Sequence, residues 1–235
     1  MTAGLAARRM SVPRGTLVDM GFTGIPDDAF RYYEGLEADN SKTYFTRHKQ
    51  LYEEAVRGPM LALTDELAAE FGAAQLFRPY RDVRFSKDKT PYKTHQGAFI
   101  DLQPGIGLYV EISAAGLFTA GGIYTQASDQ VARFRAAVDE DLTGKALESV
   151  TDALTAAGYA LHGDRLKTKP RGFTEDHPRI ELLRHKSLYA GVRFEPEQWV
   201  HTAAVRERVA ETWRAFGPLV EWLCAHVRGS ELPRR

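Results

Sequence analysis

The chain has 235 residues, 43% of them hydrophobic and 26% charged, which are the proportions of a folded globular protein and exclude wholesale disorder or a fibrous repeat. Its 31 Lys and Arg balance 31 Asp and Glu, so attraction to nucleic acid or to an anionic membrane would have to rest on a local patch. A single cysteine, Cys224, excludes an internal disulfide and a cysteine-rich metal site. No apolar run approaches the ~20 residues of a membrane span. The basic stretch Met1 to Arg14 lacks the apolar core of a secretory signal. A cytoplasmic protein without a membrane partner is the expectation.

Residues 1–21 carry no apolar periodicity and read as a flexible leader, 22–228 as a single domain, and 229–235 as a C-terminal tail. Pro26-Asp27-Asp28 starts a helix reaching Ala38, with Phe30, Tyr33 and Leu36 as its inner face. Asn40 or Ser41 caps a second helix, whose stripe is Tyr44, Phe45, Leu51, Tyr52, Ala55 and Val56; Gly58-Pro59 is expected to break it. A third helix carries Met60, Leu63, Leu67 and Phe71 and stops at Gly72.

From Leu76 to Tyr124 the period falls to two. Ala98, Ile100 and Leu102 alternate with Phe99, Asp101 and Gln103, and Leu108, Val110 and Ile112 alternate with Tyr109, Glu111 and Ser113. Leu117, Thr119 and Ile123 follow, interrupted by Gly121-Gly122, which suggests a bulge or a close backbone approach. Turns at Pro104-Gly105 and Ala115-Gly116 are too short for parallel crossovers, so the runs form an antiparallel meander, preceded by a strand through Arg81 to Phe85. Residues 128–157 return to helix behind Ser128. Ile180 to Arg184 predicts a short helix and Leu188 to Phe194 a strand. The closing helical stripe, Trp199 to Phe216, is broken or kinked at Gly217-Pro218 before Leu219. The fold class is α+β: one domain, an antiparallel meander packed with helices from both ends of the chain.

The densest chemical signal lies between Arg78 and Lys93, where Arg78, Arg81, Arg84, Lys87, Lys89 and Lys93 face only Asp82 and Asp88. Guanidinium forks, the Ser86 hydroxyl, ammonium groups and turn amides are the donors that phosphate or carboxylate recognition uses. The competing readings are a solvated charged loop and a buried ion-pair network joining Arg81 or Arg84 to Asp82 and Asp88. Phe77, Tyr80, Phe85 and Tyr92 interleave with the charges, which argues that the segment packs against the domain.

Arg81-Asp-Val-Arg-Phe-Ser-Lys-Asp-Lys-Thr-Pro-Tyr-Lys93 resembles the signature of a bacterial and fungal family catalogued as domain of unknown function twenty-four sixty-one. Leu166 to Ser187 and Gly121-Gly-Ile-Tyr124 resemble it too, so the likeness runs from about Phe22 into the C-terminal helices. Where that family shows Asn-Asn followed by Trp-Phe, this chain has Asp39-Asn40 followed by Tyr44-Phe45. The resemblance implies no established reaction.

The stretch from Leu166 adds Lys169 and Arg171, presented by a turn in which Gly172 supplies unusual backbone angles, and Asp176 as a cap for a helix starting near Pro178. With Arg81, Arg84, Ser86, Lys87, Lys89, Tyr92 and Lys93 they make up a candidate anion site. Asp82, Asp88, His95 and His177 are the candidate acids or bases; cations so close would lower the carboxylate pKa values and suit Asp88 to pairing. The seven histidines lack a recognised metal spacing, and phosphate-loop and nucleophile-elbow motifs are absent, so neither a metal nor a cofactor is expected. Cys224, Trp199, Trp213 and Trp222 read as core.

Three functions remain open. The preferred one is binding of a small phosphorylated or carboxylated ligand in a basic cleft. The others are an enzyme acting on such a ligand, and a single-stranded nucleic-acid-associated protein with Tyr80 or Tyr92 stacking on bases.

Overall fold

The structure, a computed structural model, describes residues 21–84, 86–124 and 126–232. The leader expected over 1–21 lies outside them except for Gly21, as do the last three residues of the tail.

Six strands form one sheet in which every neighbouring pair is antiparallel: β1 (Gln75–Leu76), β2 (His95–Gln103), β3 (Ile106–Ser113), β4 (Gly116–Ile123), β5 (Ala160–His162) and β6 (Leu188–Phe194), in the order β1-β2-β3-β4-β6-β5. The α+β single-domain reading holds. The meander β2–β3–β4 forms because Val, Ile, Leu and aromatic residues alternate in runs separated by two-residue turns. Ala98, Ile100, Leu108, Val110, Ile112, Leu117, Thr119 and Ile123 all point into the core. Leu102 does not: the register shifts between Asp101 and Gln103, the extra residue reverses the alternation, and Leu102 is left 47% exposed.

One face of the sheet is covered by helices. α1 (Asp27–Ala38) lies against β3, and α2 (Lys42–Arg47) starts on Ser41, whose hydroxyl accepts from the Tyr44 amide at 3.1 Å. The expected break at Gly58-Pro59 is absent. After α3 (Lys49–Leu51), a widened π turn over Tyr52–Arg57 leads straight into α4 (Gly58–Phe71), and Pro59 sits in the first turn of α4, where its missing N–H costs little. The stop at Gly72 (φ 98°) is as expected.

The helical region after β4 is two helices, α5 (Ser128–Asp139) and α6 (Asp141–Ala156), divided at Glu140, whose carboxylate caps α6 by accepting from the Leu142 and Thr143 amides. α7 (Ile180–Leu183) is short. α8 (Ala204–His226) runs unbroken through Gly217-Pro218, because Trp213, Phe216, Leu219, Val220 and Leu223 hold it on β3 and β4 across the lost backbone bond. Gly121 permits that approach: a Cβ there would lie 2.7 Å from the Phe216 Cβ, so the glycine pair marks a close backbone contact inside an intact strand. Trp213 stands edge-on to Phe71 at 5.2 Å and donates its indole N–H to the Tyr109 carbonyl at 3.1 Å. Residues 227–231 are tied back to α5, with Arg133 donating to the Val227 and Gly229 carbonyls and Asp129 accepting from Ser230 and Glu231.

Residues 81–84 and 86–89 form a connection without strand pairing, flanked by the isolated bridge Tyr80–Tyr92; Phe85, the last residue of the expected strand, lies outside the described residues. The strand expected there does not form because the side chains of Asp82 and Asp88 take backbone amides, of Arg84 and Thr90, that a ladder would need.

Candidate functional site

The second face of the sheet carries a cleft of about 950 Å³. Its floor follows from register. Tyr109 lies opposite Ala120, Ala120 opposite Gly191, and Gly191 opposite Ala160; on the next rung Gly107 faces Gly122. Apart from Tyr109, these positions carry no side chain beyond Cβ, and neighbouring rings fold over the glycines: Phe118 and His162 over Gly191, Phe99 over Gly107. Larger residues stand around them: Phe77, Phe99, Tyr109, Phe118, His162 and Tyr189. Gly191 is required by this arrangement, since a Cβ would come within 2.7 Å of the Phe118 ring.

One end of the cleft holds a charged cluster. The Glu111 carboxylate, 13% exposed, accepts from the Tyr109 hydroxyl at 2.6 Å and pairs with Arg193 at 3.2 Å. His95 Nε2 stands 3.8 Å from the same carboxylate. Gly97 makes the Tyr109 position possible: a Cβ at 97 would fall 2.4 Å from the phenol oxygen. Arg193 also lies over the Phe118 ring at 4.9 Å, and Lys93 over Phe77 at 4.9 Å. Burial lowers the His95 pKa; Glu111 opposes this, and Lys93 and Arg193 reinforce it. Its imidazole is therefore neutral near pH 7. Burial, reinforced by Glu111, pushes the Tyr109 phenol well above its ordinary value, so it stays a donor. Burial and the charge of Arg78 lower the Lys93 pKa, and no ion pair engages its ammonium among the described residues.

Of the residues singled out in the sequence, Lys93 and His95 line this cleft. Tyr92 is buried beside it, stacked on Phe45 at 4.2 Å, with its backbone N–H and C=O both bonded to the Asn40 amide. Three other cations of the segment have local partners. Arg81 reaches Asp88 and Thr90, Arg84 grips Asp82 at 2.6 Å, and Lys89 donates to the Val83 carbonyl at 2.9 Å. Asp82 is lowered to about 2, first by its bond from Arg84; Asp88 is lowered to about 2, first by the Thr90 amide and then by Arg81. The alternative of an Arg–Asp network thus describes these four residues. Ser86 is half-buried and Lys87 exposed.

The Lys167–His177 loop has its own internal bonds. Lys169 donates to the Phe173 carbonyl at 2.8 Å, Arg171 is exposed, and Gly172 has φ 93° as its turn requires. His177 bridges Asp139 at 3.1 Å and the Arg179 amide at 3.0 Å. That amide sits just before α7, so the imidazole, in place of the expected Asp176, holds the entry to this helix. Neither Lys169 nor Arg171 is among the residues lining the cleft, and no described hydrogen bond or ion pair joins the two loops. Tyr44, where the family resemblance leads one to expect tryptophan, packs over Gly35 and donates to the Tyr32 carbonyl at 3.0 Å, a structural role away from the cleft.

Arg193, Tyr109, Glu111, Phe118, Tyr189 and His162 were not foreseen. Their signal was present in the strand alternation: the outward positions of a merely solvated sheet would be Thr, Lys and Ser, whereas here they are aromatic, acidic or glycine.

Fold and site together define an α+β protein that leaves one face of an antiparallel sheet open as a ligand-sized cleft. Residues 28–222 match the model of a family described as conserved hypothetical protein (DUF2461), and the chain belongs to that family. No curated protein matches the chain. No described helix is long and apolar enough to cross a membrane.

Proposed function

We propose that this protein binds a small anionic molecule, carboxylated or phosphorylated, in the open-face cleft, with Lys93 and Arg193 as the anchors of its charged group. The observation that carries this reading is the half-buried Lys93 ammonium at the charged end, with no carboxylate partner among the described residues. A cation kept partly out of water and left without a counter-ion is a prepared anion site. Arg193 adds a guanidinium that donates to Glu111 at 3.2 Å and to the Ser113 hydroxyl at a long 3.4 Å, with further N–H groups of the fork to offer. Of the cations marked in the sequence, the proposal keeps Lys93 as a direct contact; Arg81, Arg84, Lys87 and Lys89 form the connection leading into it, and Lys169 and Arg171 stay outside.

A second reading has its own observation. The neutral His95 imidazole beside the Glu111 carboxylate is a base with an orienting acid, so the same cleft supports acid–base chemistry on the bound anion. Nucleic-acid binding is the weaker reading, because Arg81 and Arg84 of the segment are engaged by Asp88 and Asp82.

Titration of the purified protein with phosphate and carboxylate probes, followed by ligand-observed NMR, tests the proposal. Lys93→Ala and Arg193→Ala should each weaken binding about tenfold, the loss of one charge-assisted contact, while Lys169→Ala should change nothing. Affinity for single strands that rises with length and falls with salt by a log–log slope of about −0.7 per phosphate would replace it with the nucleic-acid reading.

A further inference from the structure

Resting on that reading, we infer that the ligand is an aromatic anion: a flat ring system packed against the aromatic rings of the cleft, with its carboxylate or phosphate directed at Lys93 and Arg193. Three observations carry this. The small positions of the sheet carry rings above them. Ala120, Gly191 and Ala160 sit side by side on β4, β6 and β5. Phe118 and His162 fold over Gly191 in the middle of that row, so the surface offered to a ligand there is aromatic.

The walls are rings in mutual contact. Phe77 meets Tyr109 at 6.1 Å, Tyr109 meets Phe118 at 6.4 Å, Phe118 meets His162 at 6.2 Å, and His162 stacks on Tyr189 at 5.2 Å. This chain of edges and faces runs across the sheet and passes over Gly191, and aromatic rings favour edge and offset contacts with one another. Aliphatic side chains, the usual lining for an alkyl ligand, are nearly missing: Val192 alone represents them, and the remaining small positions are glycine and alanine.

The polarity is one-sided in charge. Lys93, Glu111 and Arg193 stand together at one end, whereas Tyr189 and His162 occupy the far rung. A molecule filling the cleft therefore carries its charge at one end and a flat apolar body at the other. A sugar acid, with hydroxyls around its whole ring, would leave several of them against aromatic rings.

The test is isothermal titration with 2-naphthoate, cyclohexanecarboxylate, glucuronate and neutral 2-naphthol. We expect 2-naphthoate to bind at least tenfold more tightly than either non-aromatic acid. Phe118→Leu and Tyr189→Leu should erase that preference with the thermal midpoint held within error. Gly191→Val, whose side chain would displace the Phe118 ring, should abolish naphthoate binding; if that variant does not fold, the two leucine variants decide. Equal or tighter binding of cyclohexanecarboxylate or glucuronate overturns the aromatic inference and leaves the anion reading standing. Binding of 2-naphthol as tight as that of naphthoate supports the ring preference and removes the anion reading. No binding of any probe overturns both.

Discussion

The two faces of the sheet are built from the same strands, residue by residue, and are filled by opposite rules. On β3, Leu108, Val110 and Ile112 enter a close-packed layer under α1 and α8, while Gly107, Tyr109 and Glu111 turn to the cleft. The covered face is complete: Trp213, Phe216 and Leu223 leave it no solvent. The open face sets Tyr109 and Phe118 on the central strands and folds their rings over Gly97 and Gly191, leaving a cleft where the covered face has a filled layer. Sequence economy of that kind, glycine within strands at an entropic cost, points to a cavity that selection of side chains has kept empty.

Substitutions sharpen this contrast. Trp213→Ala should have the largest effect, about 3–5 kcal/mol of stability, because it removes a fully buried ring together with its bond to the Tyr109 carbonyl; chemical denaturation reads it. Gln96→Leu comes next. The Gln96 amide accepts from the Tyr52 hydroxyl at 2.6 Å and donates to the Phe77 carbonyl at 2.8 Å, so leucine strands both buried groups at about 1–3 kcal/mol. On the open face Phe118→Ala should cost no more than about 1 kcal/mol, although Phe118 is as large as most core residues. A loss comparable to that of Trp213→Ala would mean the open face is part of the core and would break the comparison.

Acid should separate wild type from histidine variants. Burial lowers the pKa of both His95 and His185 in the folded state. The unfolded chain therefore takes up these protons first, and stability falls as pH drops below the unfolded value of about 6.5, levelling off only below the folded pKa values. His185→Gln and His95→Gln should each flatten the curve just below about pH 6.5. An unchanged slope in both would contradict the burial of these rings. The smallest effect belongs to Arg84→Ala, whose guanidinium and partner Asp82 are both exposed: the thermal midpoint should not move.

The covered face was legible in the sequence because burial imposes a period. Ile100, Val110 and Leu117 announce a sheet, Phe30 and Leu36 a helix, and Gly72 an ending. Boundaries governed by tertiary packing were not legible: Pro59 and Pro218 read as breaks, but the π turn in one case and the apolar face of α8 in the other carry the helix onward. The site was half legible. A run of charge drew attention to Arg81 and Arg84, which spend it on near neighbours, and the same run ended on Lys93 and His95, which line the cleft. Arg193 and Glu111 meet only through the register of β3, β4 and β6, which no local pattern reveals.

That register has a consequence for the order of folding. β2, β3 and β4 are joined by tight turns and can zip locally. β6, by contrast, returns to β4 only after α5, α6, β5 and α7 have been laid down, so the pairing of Gly122 with Tyr189 closes a far longer loop. The cleft straddles this seam, with Tyr109 and Ala120 on the early side and Tyr189, Gly191 and Arg193 on the late side. A nascent chain therefore presents half a basin until its last strand docks, and only the finished molecule can close around a guest.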